Sequence, residues 1–155
     1  MNLEHYLIEA ASDFLEYQFY SEGPNGIIKK VVRFTKINIG DFTYYNLGFG
    51  DWNEITNTID DFIISNNQDA EQVLATVATT VLLFTNRYPD SFVYAEGSTH
   101  ARTRRYQMGI NKYYNDIKDL FEIFGLIDDI GFVPFKQGIN FLAFLVRRKT
   151  VNFII

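Results

Sequence analysis

Arg102, Arg104 and Arg105 put three of the chain's 14 lysines and arginines within four positions, directly after Gly97, Ser98 and Thr99. Phe92 to Ala95 reads as a buried strand, and the Gly-Ser-Thr run reads as its exit into a helix. Such an exit leaves several backbone N–H groups unpaired, with the positive end of the helix dipole behind them, which suits an anion. Arg102 in the first turn and Arg105 three positions later fall on one side of that helix. Guanidinium groups there can hold a phosphate or carboxylate by charge-assisted, bidentate bonds. Tyr106 follows Arg102 by four residues, so its hydroxyl can reach the same ligand or its ring can stack on a base. The candidate anion-binding set is Gly97, Ser98, Thr99, Arg102, Arg105 and Tyr106, with His100, Arg104 and Asp51 as accessories.

A structural reading competes with it. Ser98 or Thr99 serves as an ordinary helix cap, and Glu96, Asp51 or Asp60-Asp61 absorbs the arginines as ion pairs that tie helix to sheet. The spacing is not that of a Walker A loop, because no Gly-Lys-Ser/Thr ending follows. His100 beside the arginines is either a surface residue or a proton carrier. No catalytic signature is present, so enzyme status stays open.

Composition narrows the classes. A chain of 155 residues fits one domain, and 47% hydrophobic residues with 15 Phe and 10 Tyr supply a large core. The formal net charge of −5 argues against coating nucleic acid or an anionic membrane with the whole surface, but leaves room for a local basic patch. The absence of cysteine excludes disulfides and thiolate chemistry, and two histidines disfavour a multi-histidine metal centre. No metal or cofactor is expected. The N-terminal residues lack a signal-peptide pattern and no apolar run is long enough to span a membrane, so the expected compartment is the cytoplasm.

The elements that must position the arginines follow from periodicity. Residues 1–12 can open as a strand or a helical turn, and strand is the preferred reading. Phe14 to Tyr20 and Ile27 to Ile37 read as a hairpin around a turn from Ser21 to Gly26, since Pro24 fixes φ and Asn25-Gly26 accepts positive φ. Lys29, Lys30, Arg33 and Lys36 then suggest an edge strand protected by lysines, with a phosphate-binding strip as the alternative. Phe42 to Phe49 is a third strand, and Gly48 and Gly50 beyond its middle signal a bulge or a close backbone approach. Trp52 beside Asp51 suits packing at a strand end. Ile55 to Ser65 reads as a strand around a polar turn at Asn57. Asp60-Asp61 is a weak metal pair, because adjacent strand residues point to opposite faces.

Asp69 to Asn86 is the clearest helix, with Asp69 among its candidate caps and Val73, Val77, Val81 and Phe84 on its apolar face. The arginine helix spans Thr99 to Tyr114 with a weak point at Gly109. Phe121 to Gly125 is strand, residues 127–138 a connection, and Ile139 to Lys149 a final strand that is central or covered on both faces. The apolar residues 151–155 suggest a last edge strand or a homodimer contact. The sum is an α+β domain: a mainly antiparallel, twisted sheet of five to seven strands with two principal helices on one face.

The segments SEGPNGIIKKVVRF, YNLGFGD, NNQDAEQVLATVATTVLLF and GSTHARTRRYQMGI resemble a family of small bacterial proteins, a domain of unknown function with a GST-x-ARTR-x-Y motif. The resemblance covers about residues 6–148. It implies an intracellular single-domain protein and carries over no activity.

Three function classes follow. The first is a binding module that recognises a phosphate-bearing partner, nucleic acid or a nucleotide, through Gly97 to Tyr106. The second is an enzyme acting on a phosphorylated or acylated small molecule, with His100, Tyr106, Glu96 or Asp51 moving protons. The third is a protein-interaction or homodimeric role through a sheet edge and the apolar tail.

Overall fold

The computed structural model describes residues 4–61 and 65–150. The strongest local signal, Pro24-Asn25-Gly26, closes a hairpin between β2 (Glu16–Gly23) and β3 (Gly26–Ile39), with Gly26 at φ +91°. The turn is tighter than expected: Ser21 and Glu22 belong to the strand, and Gly23 faces Gly26 directly. Asn67 holds this hairpin from outside it. Its side-chain oxygen accepts from Asn25 N at 2.7 Å, while its amide nitrogen donates to Ser21 Oγ and Gly26 O at 3.0 Å each. A short β1 (Glu9–Ala10) pairs with β2.

The chain continues through β4 (Phe42–Asn53) and β5 (Thr58–Asp60). Among the described residues, the strand expected over residues 55–65 is realised only at β5. Asn53 Oδ1 accepts from the amides of Ile55 and Thr56, and Asn57 takes φ 53°, so the chain must turn first. Phe62, Ile63 and Ile64 lie outside the described residues, as does the 151–155 tail. Helix α1 (Ala70–Arg87) leads to β6 (Val93–Ala95), helix α2 (His100–Ile117), β7 (Phe121–Ile127), β8 (Gly131–Pro134) and β9 (Phe144–Arg148).

The fold is α+β. Its mixed, mostly antiparallel sheet has nine strands among the described residues, in the order β1-β2-β3-β4-β6-β9-β7-β8, with β5 also on β4. Among the described residues only the β4–β6 pairing is parallel. Strand β3 is therefore interior, which corrects the expected lysine-protected edge: its Lys30 turns into the protein and Arg33 pairs with Glu16 at 2.6 Å. Strand β9 is central, as its apolar residues on both parities demand, but it is shorter than expected. Gln107 of α2 explains the difference, because its amide donates to Ile139 O at 2.5 Å and accepts from Phe141 N at 3.1 Å. That side chain replaces a strand neighbour for residues 139–141. The expected connection over 127–138 contains β8, turned back by Asp129 at φ 62° and Gly131 at φ +103°. Pro134 is tolerated because β8 is the last strand of the sheet.

Both helices cover one face. Tyr17, Phe19, Val32, Phe34 and Leu47 meet Val73, Val77 and Phe84 of α1, and Phe34 stacks on Phe84 with centroids 4.2 Å apart. A second cluster joins Phe121, Ile123, Phe135, Phe141 and Phe144 to the apolar stripe of α2. Val81 and Val146 pack against both clusters, so the core is continuous. The threonines of α1 are tolerated inside it because Thr76, Thr79, Thr80 and Thr85 bond back to carbonyls three or four residues earlier. Asp69 starts α1 without capping it through its side chain. Its carboxylate accepts from Tyr6 and Ser21 instead, at 2.6 and 2.5 Å.

Candidate functional site

The arginine helix begins at a junction fixed by β4. Strand β3 occupies one edge of β4, so β6, paired at Tyr45 and Asn46, and β5, paired at Asp51 to Asn53, lie end to end along the other. Asp61 just beyond β5 therefore meets Gly97 and Ser98 just beyond β6. Gly50 makes room for this crossing: a Cβ there would fall 2.3 Å from Asp60 O, so the expected close backbone approach is present.

Asp61 O accepts from Ser98 Oγ at 2.5 Å and from Arg102 Nη1. Thr99, at an extended φ of −135°, caps α2 by accepting from Arg102 N at 3.2 Å. Gly97 N donates to Thr103 Oγ1 at 2.9 Å, and Thr103 N donates to Thr99 O at 3.1 Å. No side chain fits at Gly97, where a Cβ would lie 2.4 Å from Thr103 N. The expected strand-to-helix junction is present, and the Gly97, Arg102 and Thr103 amides in it are bonded from within. The His100 and Ala101 amides make no hydrogen bond among the described residues.

The candidate residues divide. Ser98 and Arg102 meet at Asp61 O, Gly97 and Thr99 are bonded into the same helix start, and Tyr106 lies within reach of the Arg102 and Asp61 charges. His100, Arg104 and Arg105 are exposed on the outer side of α2, and neither arginine has an ion-pair or hydrogen-bond partner among the described residues. Arg105 does not share the partner of Arg102. Asp51 is elsewhere: it accepts from Lys30 Nζ at 2.5 Å, with the two side chains only 13% and 8% exposed. Glu96 accepts from Tyr94 Oη at 2.8 Å, and burial together with this hydrogen bond pushes the Tyr94 hydroxyl upward. Burial also pushes Tyr106 up to about 12, against the pull of the Arg102 charge, so Tyr106 stays protonated at neutral pH. It can donate a hydrogen bond there but is no general base. No group of three or more His, Asp or Glu side chains among the described residues is placed to hold a metal ion. No helix among them is long and apolar enough to cross a membrane.

The sequence reading missed a cavity of about 150 Å³ between α1, α2 and the sheet. Val93 and Phe144 form part of its buried floor, while Leu74 and Ala78 of α1 and Gly109 and Tyr113 of α2 are partly exposed along its sides. The cavity is therefore open between the helices. Its one sequence signal was the glycine in the middle of α2, read only as a weak point.

Over residues 2–149 the chain matches the profile of a family described as a family of unknown function (DUF6934). Comparison with curated proteins and with solved structures finds no match.

Proposed function

The chain belongs to this family of unknown function, and we propose that it is a binding module for a phosphate-bearing ligand. The contact surface is the outer side of the first two turns of α2: the Arg104 and Arg105 guanidiniums, His100, and the amides of His100 and Ala101. Ser98, Thr99, Arg102 and Tyr106 hold this helix start in place beneath it.

One observation carries the reading. In a chain with 19 acidic residues against 14 basic ones, two adjacent exposed arginines sit at the positive end of a helix with no carboxylate partner among the described residues. Exposed guanidiniums beside unbonded helix amides attract phosphate oxygens through both charge and direction.

The test is fluorescence anisotropy with single-stranded oligonucleotides, mononucleotides and inorganic phosphate at several salt concentrations. Binding should weaken as salt rises. For single strands, each phosphate that Arg104→Ala or Arg105→Ala no longer neutralises should lower the log–log slope by about 0.7. Full binding by the double variant to every ligand that the wild type binds, or no binding by the wild type to any of them, overturns the reading.

A further inference from the structure

We propose that the phosphate-bearing ligand is amphiphilic and lodges an apolar group of roughly six carbons in the cavity between α1 and α2, an inference that rests on the anion-binding reading above. Of the seventeen described residues that line this cavity, only Tyr106 and Tyr113 carry a polar side-chain atom. A lining of that kind gives water few hydrogen-bond partners and accepts hydrocarbon. At about 150 Å³ the space matches, in order of magnitude, apolar cavities that stay dry and take up a benzene-sized guest.

Gly109 gives the second observation. It lies within α2, where glycine is destabilising by about 1 kcal/mol relative to alanine. Crowding does not require it, since a Cβ at this position would meet nothing within 4 Å. The residue lines the cavity at a partly exposed point of the helix, beside open space, so a passage into the cavity at this point would meet no side chain of residue 109.

Charge flanks that passage. Arg105 stands four residues before Gly109 and Lys112 three residues after it, which places both cations on the same side of the helix, one turn to either end. Lys112 is held by Glu71 of α1, whereas Arg105 has no partner among the described residues. A ligand whose tail enters at Gly109 would leave its anionic head beside Arg105. Nucleic acid lacks such a tail and would bind only the outer surface.

The experiment is isothermal titration of the full chain with inorganic phosphate, butyl phosphate, hexyl phosphate and hexanoate. Hexyl phosphate should bind roughly 10-fold more tightly than butyl phosphate, since two more methylenes leave water. Arg105→Ala should weaken both esters and preserve their ratio. Gly109→Phe, which puts a ring into the cavity, should remove the chain-length gain while leaving inorganic phosphate unaffected. Should that variant fail to fold, nuclear Overhauser effects between the hexyl chain and the Val77 and Ile110 methyl groups of the wild type decide the matter. Equal affinity for the two esters, or no such effects, overturns the cavity assignment and leaves the anion-binding reading standing. A chain-length gain that survives with no loss in Arg105→Ala keeps the cavity and removes the head-group assignment. Hexanoate binding as tightly as hexyl phosphate would make the head a general anion site and overturn its preference for phosphate.

Discussion

The guanidinium of Arg102 donates to the main-chain carbonyl of Asp61, across the gap where β5 and β6 end on one edge of β4. Ser98 Oγ donates to the same oxygen, whose two lone pairs can serve both donors. The arginine that sequence spacing favours as a ligand clamp therefore fastens the start of α2 to the end of β5. Arg105, three residues later, is left for solvent or ligand.

That division predicts opposite behaviour for the two arginines. Arg102→Ala removes a charged hydrogen-bond donor from a partly buried carbonyl and should lower unfolding stability by roughly 2 kcal/mol. Arg105→Ala touches an exposed side chain and should stay within about 0.5 kcal/mol of wild type. Urea unfolding of both variants checks this, and equal losses would contradict the assigned roles.

Gly97 and Gly109 should respond oppositely to alanine. At Gly97 the new Cβ would collide with the backbone at Thr103 N, 2.4 Å away, so the strand-to-helix junction must shift. At Gly109 the Cβ enters open space and the helix gains propensity, for a stabilisation of up to about 1 kcal/mol. Thermal melts should show Gly97→Ala well below wild type and Gly109→Ala at or above it.

The sequence made visible what is encoded over short spans. Pro24-Asn25-Gly26 closes its hairpin, and the apolar stripe of Val73, Val77, Val81 and Phe84 specifies α1 within one residue at each end. What escaped depends on distant partners. Residues 139–141 have strand composition, but the Gln107 amide takes the place of a neighbouring strand. Gly131 and Pro134 look like breakers, yet at a sheet edge they permit β8. Asp60-Asp61 stands among the expected partners that tie the arginines to the sheet, but as an ion pair; nothing local announces that the acceptor for Ser98 and Arg102 is the main-chain carbonyl of Asp61, some forty residues earlier. A cavity is invisible for a deeper reason: it is a mismatch in how two apolar stripes meet, and neither stripe alone records it.

Lys30 and Asp51 are register partners across β3 and β4, and Lys30 Nζ also donates to Ser65 Oγ at 2.8 Å. With both side chains nearly buried, removing one leaves the other's charge uncompensated in a poorly solvated site. Lys30→Met alone should cost roughly 3–5 kcal/mol. Lys30→Met combined with Asp51→Leu should recover much of that loss, since no ion is then left buried. A double-mutant cycle by chemical denaturation measures the coupling, and additive losses would argue against a direct pair.

Tyr17 is fully buried in the first core cluster, edge-on to Phe34, and its hydroxyl has no hydrogen-bond partner among the described residues. Burial, reinforced by Tyr88 and Asp13, pushes that hydroxyl from 10.0 up to about 12. Between these two values the unfolded chain releases a proton that the folded chain keeps, so unfolding becomes easier as pH rises through this window and is unaffected below it. Tyr106, raised to about 12 chiefly by its own burial, acts in the same direction. Tyr17→Phe preserves the ring and deletes the group responsible. Near pH 7 it should stabilise the fold by roughly 1 kcal/mol, because an unpaired buried hydroxyl no longer has to leave water. Above pH 10 its stability should fall less steeply than that of wild type, while the contribution of Tyr106 remains. Chemical denaturation from pH 7 to 11 tests both parts, and parallel curves for the two proteins would show that Tyr17 does not resist ionisation in the native state.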